Sequence, residues 1–84
     1  MSYFVYILEC ADGTFYSGST NDLEKRLHKH NHLKSGAHYT KIRRPVILKY
    51  SEEVPDFATA RAREGEFKRW SREEKLKFIS EANC

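Results

Sequence analysis

The chain has little of the residue chemistry that disulfide-bonded or zinc-stabilised small domains use. Its 84 residues include two cysteines, Cys10 and Cys84, which do not form a disulfide framework. Cys10 lies in a strand-like segment and is expected to be a small buried hydrophobic residue. No pattern of Cys and His residues around His28, His32 or His38 resembles a structural zinc site. We therefore expect a reduced, cytoplasmic protein.

Long apolar runs are also missing, and none approaches the length of a membrane-spanning helix. No leader with a basic start and an apolar middle opens the chain, and neither a low-complexity linker nor an internal repeat divides it. We expect one domain over residues 1–84, with no membrane partner. A glycine-rich loop that cradles phosphates is missing too, which argues against a nucleotide cofactor.

The charge balance is mildly basic. Fifteen Lys and Arg residues against twelve Asp and Glu residues give a formal net charge of +3. This excess favours a polyanionic partner, although many ordinary proteins share it.

Hydrophobic patterning predicts the element order β-β-α-β-α-α and an α+β fold. The first strand is apolar on both faces, so its sheet is expected to be covered on two sides. The fold class follows as a three-stranded, largely antiparallel sheet flanked by helices. Capping boxes at Asn21 with Glu24 and at Ser71 with Glu74 mark two helix starts. The predicted strands are Tyr3 to Cys10, Thr14 to Ser17 and Val46 to Tyr50, and the predicted helices run to about His32, from Phe57 to Trp70, and to about Ala82.

The first two strands form a predicted hairpin that brings two tyrosines together. A three-residue turn ending at Gly13, with that glycine in the left-handed region, pairs Tyr6 with Gly18. Tyr6 and Tyr16 then lie on one face, within reach of each other. A two-residue turn would shift the register by one residue and put the tyrosines on opposite faces.

The first helix follows this hairpin directly. Leu23 and Leu27 form its core stripe, while Arg26 and His30, four residues apart, form a pair on its flank. The short connection from Gly18 is expected to keep this pair close to the tyrosines. The alternative is a solvated basic face with no chemical role.

One carboxylate interrupts an apolar stripe in the second helix. The stripe has spacings of three, four and three residues: Phe57, Ala60, Glu64 and Phe67. A carboxylate there loses solvation, and this costs several kcal/mol unless a cation or a metal ion compensates. A salt bridge from Glu64 to Lys68 or Arg61 would explain the position equally well.

A basic segment precedes the third strand, over residues 33–45. Its side chains could follow a phosphate backbone, although a solvated loop explains them as well. The candidate nucleic-acid-binding residues there, together with one on the second helix, are His38, Tyr39, Lys41, Arg43, Arg44 and Lys68.

These residues together resemble the GIY-YIG nuclease family. Val5-Tyr6 and Tyr16-Ser17-Gly18 are similar to its paired motifs, with Phe4 in place of the first glycine and Ser17 in place of the isoleucine. Arg26, His30 and Glu64 stand at the positions of its helix arginine, a frequent histidine and its metal-binding glutamate. The resemblance runs from Tyr3 to about Ile79 and is greatest to the small, single-domain bacterial branch.

The resemblance implies phosphodiester hydrolysis in nucleic acid, expected to be DNA, with one Mg²⁺ or Mn²⁺ ion on Glu64. Tyr6 or Tyr16 would act as general base, with a pKa lowered by Arg26 and the metal. Arg26 would stabilise phosphoryl charge, and His30 would hold the phosphate or assist proton transfer. A module of the same fold that binds nucleic acid without cutting it is the alternative, and a protein partner or a pure interaction protein remain open.

Overall fold

The computed structural model describes residues 2–32 and 44–82 and has the predicted element order. The strands form one antiparallel sheet in the order β2-β1-β3, which confirms the fold class. None of the helices in the described residues is long and apolar enough to cross a membrane. The strands are β1 (Tyr3–Glu9), β2 (Phe15–Thr20) and β3 (Ile47–Val54), and the helices are α1 (Leu23–His32), α2 (Phe57–Arg69) and α3 (Arg72–Ala82).

The turn between β1 and β2 has the predicted three-residue form. The Gly13 amide donates to the Cys10 carbonyl at 2.9 Å, and the Cys10 amide donates to the Thr14 carbonyl at 2.8 Å. Gly13 has a φ of 83°, a backbone conformation that is unfavourable for residues with a Cβ atom. The turn therefore fixes the register of the hairpin.

The predicted register is confirmed, since Tyr6 pairs with Gly18 and Leu8 pairs with Tyr16. Tyr6 and Tyr16 thus lie on one face of the sheet. β2 continues to Thr20, three residues beyond the predicted end. Gly18 is a weak strand former, but the backbone of this stretch completes the hydrogen-bonded ladder with the central strand.

The third strand is also longer than predicted, running to Val54 instead of Tyr50. Ser51, Glu52 and Glu53 carry no apolar pattern, yet all three pair with β1. Backbone pairing with a buried central strand outweighs the low strand propensity of these side chains.

Of the two helix N-caps predicted from the sequence, the structure confirms one. Ser71 and Glu74 form the predicted capping box, with reciprocal bonds of 2.9 and 3.1 Å to each other's amides. The α1 cap is Asp22, whose carboxylate accepts from the Lys25 amide at 3.1 Å. The assignment of Asn21 was wrong because the extension of β2 delays the helix start by one residue.

Two apolar clusters cover the two faces of the sheet, as predicted. On the face that packs against α2 and α3 the buried residues are Val5, Ile7, Val54, Ala60, Phe67 and Ile79. On the face that packs against α1 they are Tyr6, Leu8, Cys10 and Val46. Cys10 is buried and not in a disulfide.

The apolar stripe of α2 is shorter than predicted. Ala60 and Phe67 are fully buried, but the Phe57 side chain is 51% exposed. Phe57 lies in the first turn of the helix, where its ring contacts the ring of Tyr3 with centroids 5.5 Å apart. The stripe therefore begins one turn later than expected.

Replacing Ser17 with alanine is expected to stabilise the protein. Ser17 is 2% exposed, and its hydroxyl is the buried side-chain group that lacks a hydrogen-bond partner among the described residues. Removing a buried, unsatisfied hydroxyl should raise the free energy of unfolding by about 1 kcal/mol. Urea denaturation of Ser17→Ala measures this, with the exposed Ser51→Ala as a control that should change little. A destabilised Ser17→Ala would contradict the expectation.

Candidate active site

The Tyr6 hydroxyl joins the two flank residues of α1. Its oxygen lies 2.9 Å from His30 Nε2 and accepts a hydrogen bond of 3.3 Å from Arg26 Nε. Tyr6 is 1% exposed and His30 is fully buried, while Arg26 is half-buried. The predicted proximity of these three side chains is confirmed, and a solvated basic face is wrong for His30.

The histidine in the Tyr6–His30 hydrogen bond is uncharged. Burial, together with the nearby charges of Arg26 and Arg44, lowers the pKa of His30 to about 4. The ring is therefore neutral at pH 7. A neutral imidazole can donate or accept through Nε2, so the tautomer of His30 sets the direction of its hydrogen bond with Tyr6, whose oxygen also accepts from Arg26 Nε.

Tyr6 keeps its proton in this environment. Burial raises the pKa of Tyr6 and outweighs the lowering effect of Arg26. The expected influence of Arg26 is present, but the net shift is opposite to the one that a general base needs. Tyr6 therefore orients Arg26 and His30.

The second tyrosine lies beside this network. Tyr16 is half-buried, and its ring meets the edge of the His30 ring with centroids 5.2 Å apart. Tyr16 also interacts with Arg26 through its side chain. The face of the sheet toward α1 thus assembles two phenols, one guanidinium and one neutral imidazole.

Glu64 approaches β2 from the other face of the sheet. Ser19 Oγ donates to Glu64 Oε1 at 2.7 Å, and Lys68 Nζ lies 2.7 Å from Glu64 Oε2. Burial raises the pKa of Glu64, but the hydrogen bonds from Lys68 and Ser19 outweigh it and hold the pKa below its usual value. The carboxylate is therefore ionised at pH 7, and the ion pair with Lys68 that the sequence left open is present.

Because β2 is an edge strand of the sheet, the tyrosine cluster on the α1 face and Glu64 on the α2 face can lie around the same strand. Along β2, Tyr16 faces α1 and Ser19 faces α2, since side chains alternate. The negative charge of Glu64 contributes to the raised pKa of Tyr6, so the two side chains are close enough to interact. The five predicted residues therefore lie around one edge strand, with Arg26 and His30 each interacting with both tyrosines and Glu64 across the strand.

Gly18 is the point on β2 where the strand and Tyr6 meet most closely. A Cβ at Gly18 would lie 2.5 Å from the Tyr6 oxygen and 2.7 Å from the adjoining ring carbon. Only glycine leaves room for the Tyr6 hydroxyl between β2 and α1.

Gly18→Ala is expected to displace the Tyr6 ring and destabilise the protein by about 1–3 kcal/mol. A matched control is Gly65→Ala in α2, where the new Cβ would meet only an Arg69 nitrogen at 3.7 Å. Gly65→Ala should stabilise the helix by about 0.5–1 kcal/mol. Thermal denaturation of both variants measures the difference, and equal stability of the two would contradict the crowding of Tyr6.

Lowering the pH from 7 to 4 is expected to destabilise the protein through His30. Its pKa is about 4 when folded against 6.5 for the ordinary group, so protons bind the unfolded chain more tightly. This contribution is complete above pH 6.5, falls as the pH drops toward 4, and amounts to about 3 kcal/mol. Urea denaturation across this range should show a weaker pH dependence for His30→Gln, whereas the exposed His28→Gln should follow wild type. Parallel curves for His30→Gln and wild type would contradict the assignment.

The donor set around Glu64 fits a magnesium or manganese ion held mainly by water and substrate. No group of three His, Cys, Asp or Glu side chains within residues 2–32 and 44–82 could hold a metal ion. Glu64 supplies one ionised carboxylate and Ser19 supplies a hydroxyl. Mg²⁺ usually keeps several waters and binds through one or two carboxylates together with phosphates, which suits this arrangement.

The predicted nucleic-acid-binding residues are only partly within the described chain. The segment of residues 33–43, and with it His38, Tyr39, Lys41 and Arg43, lies outside it. Arg44 donates to the carbonyls of His30 and Lys29 at the end of α1, which fixes the entry to β3. Its binding to nucleic acid, like that of Lys68, stays a prediction.

Ser19 is the site residue that sequence reasoning missed. The signal for it was available in the alternation along β2, because a residue next to Gly18 must face α2 when Tyr16 faces α1. The early predicted end of β2 at Ser17 concealed this relation.

Comparison with known proteins identifies a family and several relatives that resemble this chain. The profile of the GIY-YIG catalytic domain matches residues 2–77. The UPF0213 protein SSP2268 of Staphylococcus saprophyticus is 51% identical over 79 residues, which cover 94% of this chain and 95% of that protein. A UPF0213 protein of Syntrophus aciditrophicus is 50% identical, covering 93% and 90% of the two chains.

Two solution NMR structures have the same fold. The UPF0213 protein BH0048 of Bacillus halodurans is 40% identical with a TM-score of 0.60, covering 95% of this chain and 84% of its own. The protein EF2693 of E. faecalis is 35% identical with a TM-score of 0.67, covering 99% and 88%. The matched profile spans the tyrosine hairpin, the Arg26–His30 helix and Glu64, so this chain belongs to the GIY-YIG family, among its small UPF0213 members.

Proposed function

We propose that this protein is a metal-dependent endonuclease that hydrolyses phosphodiester bonds in nucleic acid, with DNA as the expected substrate. The observation that carries the proposal is the hydrogen-bonded cluster of Tyr6, His30 and Arg26 beside Tyr16, with the ionised Glu64 across the edge strand. A cation, phenols and one carboxylate at an accessible edge suit a phosphodiester better than a neutral substrate. We expect the protein to act in the cytoplasm.

Of the two tyrosines, Tyr16 is better placed to accept a proton from the attacking water. Tyr6 is buried, and its hydroxyl is already hydrogen-bonded to both His30 and Arg26. Tyr16 is more accessible and lies next to the same guanidinium. Tyr16 would first release its own proton to solvent, which reaches this half-buried side chain, and the adjacent Arg26 cation would offset the charge of the phenolate.

Arg26 has a second role at the phosphate. Its Nε–H is used by Tyr6, and the guanidinium carries four further N–H donors. These donors suit the phosphoryl oxygens on which negative charge builds as water attacks. Tyr6, which is itself hydrogen-bonded to His30, orients the guanidinium, so little reorganisation is needed during the reaction.

Glu64 is the residue that would hold Mg²⁺ or Mn²⁺, assisted by the Ser19 hydroxyl. Such an ion would supply charge neutralisation at the phosphate and at the leaving oxygen. The Lys68 side chain is 54% exposed and is free to turn from Glu64 toward a neighbouring phosphate.

The proposal is tested by incubating the protein with labelled single-stranded, duplex, flap and junction DNA and with RNA. Each substrate is assayed with Mg²⁺, with Mn²⁺ and with EDTA, and Glu64→Ala purified in parallel controls for contaminating nucleases. Cutting that requires the metal and Glu64 is the expected result. Affinity that weakens with salt, without cutting, would favour the binding module instead. Neither cutting nor binding would contradict both.

A further inference from the structure

A second basic site lies at the opposite end of β2 from Ser19. It is a cleft of about 230 Å³ lined by Thr14, Phe15, Arg72 and Lys75, which we call the Arg72–Lys75 cleft. Thr14 Oγ1 is already bonded to the Asp12 carboxylate at 2.6 Å. The two cations are therefore the groups in this cleft that a ligand could engage.

Lys75 is unusual because most of its side chain is buried, while its Nζ, which keeps some exposure, has no counterion among the described residues. Its side chain belongs to the first turns of α3 and is 9% exposed. Across residues 2–32 and 44–82, neither an ion pair nor a hydrogen bond engages its Nζ. Burial lowers the pKa of Lys75, and the nearby charge of Lys68 lowers it further. Buried charges in proteins are normally paired, so an anion is the missing partner.

Arg72 is held in a fixed position at the mouth of the cleft. Its Nε donates to the Gly13 carbonyl at 2.9 Å, and its guanidinium carbon lies 5.7 Å from the centre of the Phe15 ring. These contacts leave the remaining N–H donors of a rigid planar group for a ligand. Planar guanidinium groups held this way suit phosphate oxygens.

The cleft connects with the candidate active site through Lys68. Lys68 contacts Glu64 at 2.7 Å and is close enough to Lys75 to lower its pKa. Along β2, Phe15 and Ser19 are four residues apart on the same face, which corresponds to roughly 13 Å. This distance is spanned by a few nucleotides of one strand.

We propose that the Arg72–Lys75 cleft binds a backbone phosphate of the nucleic-acid strand, a few nucleotides from the phosphate hydrolysed at the β2 edge. This inference rests on the proposed nuclease function, which it deepens by fixing the path of the strand along α2 and α3. Binding at two separated phosphates would orient the strand across the edge of β2 without any base contact.

The test is the affinity of the protein for a labelled oligonucleotide in EDTA, where no cutting occurs. Lys75→Gln and Arg72→Gln are each expected to weaken binding about 3–10-fold and to make the salt dependence shallower by about one unit of slope. Lys77→Gln is the matched control, since Lys77 lies on the same helix beside Trp70 and Phe78. It should change the affinity less than about twofold at the same salt concentration. Circular dichroism checks that each variant is folded. If Lys75→Gln fails to fold, the affinity of Arg72→Gln alone tests whether the cleft binds the nucleic acid.

The binding experiment distinguishes an error in the cleft proposal from an error in the proposed nuclease function. Wild-type binding with both cleft variants matching Lys77→Gln would overturn the cleft and leave the nuclease proposal standing. Absence of wild-type binding would overturn both. A parallel NMR titration with inorganic phosphate then shows the source of the anion. Shifts at Phe15, Arg72 and Lys75 without nucleic-acid binding would identify a free-phosphate site and overturn the strand path.

Discussion

Glu64→Ala is expected to abolish cleavage, with a loss of about 10³-fold or more in the single-turnover rate, while affinity for nucleic acid stays within about twofold. Glu64 supplies an ionised carboxylate at the β2 edge, and its hydrogen bonds with Lys68 and Ser19 hold its pKa below the usual value. Removing it takes away the proposed ligand for Mg²⁺ or Mn²⁺. It also releases Lys68, whose charge then becomes available to phosphate, so binding should not weaken.

A matched control for this variant is Glu66→Ala on the same helix. Glu66 pairs with Arg63 at 2.9 Å and is 48% exposed, so its loss removes the same charge away from the edge of β2. Its cleavage rate should stay close to that of wild type. Cleavage by Glu64→Ala at the rate of Glu66→Ala would contradict the role of Glu64.

Arg26→Ala is expected to lower the cleavage rate by about 10²–10³-fold, as removal of one oriented donor to a charged transition state does elsewhere. The guanidinium is half-buried and oriented by the Tyr6 oxygen at 3.3 Å. A half-buried cation of this kind acts more strongly on a developing charge than one in water. The rate should be measured under single turnover so that product release does not mask the loss.

Two further variants separate the charge of Arg26 from its geometry. Arg26→Lys keeps the charge but has no Nε–H for Tyr6, and its rate should fall between those of wild type and Arg26→Ala. Lys25→Ala, which removes an exposed neighbouring cation, should affect binding more than the chemical step. Equal losses of single-turnover rate in Lys25→Ala and Arg26→Ala would contradict a specific role of Arg26. They would show that the two cations act only by attracting the nucleic acid.

The tyrosine hairpin could be predicted because few local signals compete there. Gly13 selects the turn, and alternation then places Tyr6 and Tyr16 on one face. The anomaly at Glu64 was visible for a similar reason, since a carboxylate in an apolar stripe always needs a partner. The sequence could not say whether Lys68 or a metal ion fills that need, and the structure shows that Lys68 does so in this state.

Other features depend on contacts between distant residues and were beyond the sequence. Ser51, Glu52 and Glu53 join β3 only because β1 offers backbone partners. From the sequence alone, Lys75 would be taken for an ordinary surface lysine. It is buried because α3 packs near Phe15. The reversal of the expected pKa of Tyr6 is likewise a packing effect, since α1 encloses the phenol.

The central claim is that groups on both faces of the sheet act on one phosphodiester at the edge of β2. Its most direct test is a crystal structure of Tyr16→Phe, chosen to slow cutting, with Mg²⁺ and a short oligonucleotide. The account predicts a backbone phosphate in contact with the Arg26 guanidinium, Mg²⁺ on the Glu64 carboxylate, and Lys68 no longer paired with Glu64. An oligonucleotide bound on another surface, with the Glu64–Lys68 ion pair intact, would contradict it.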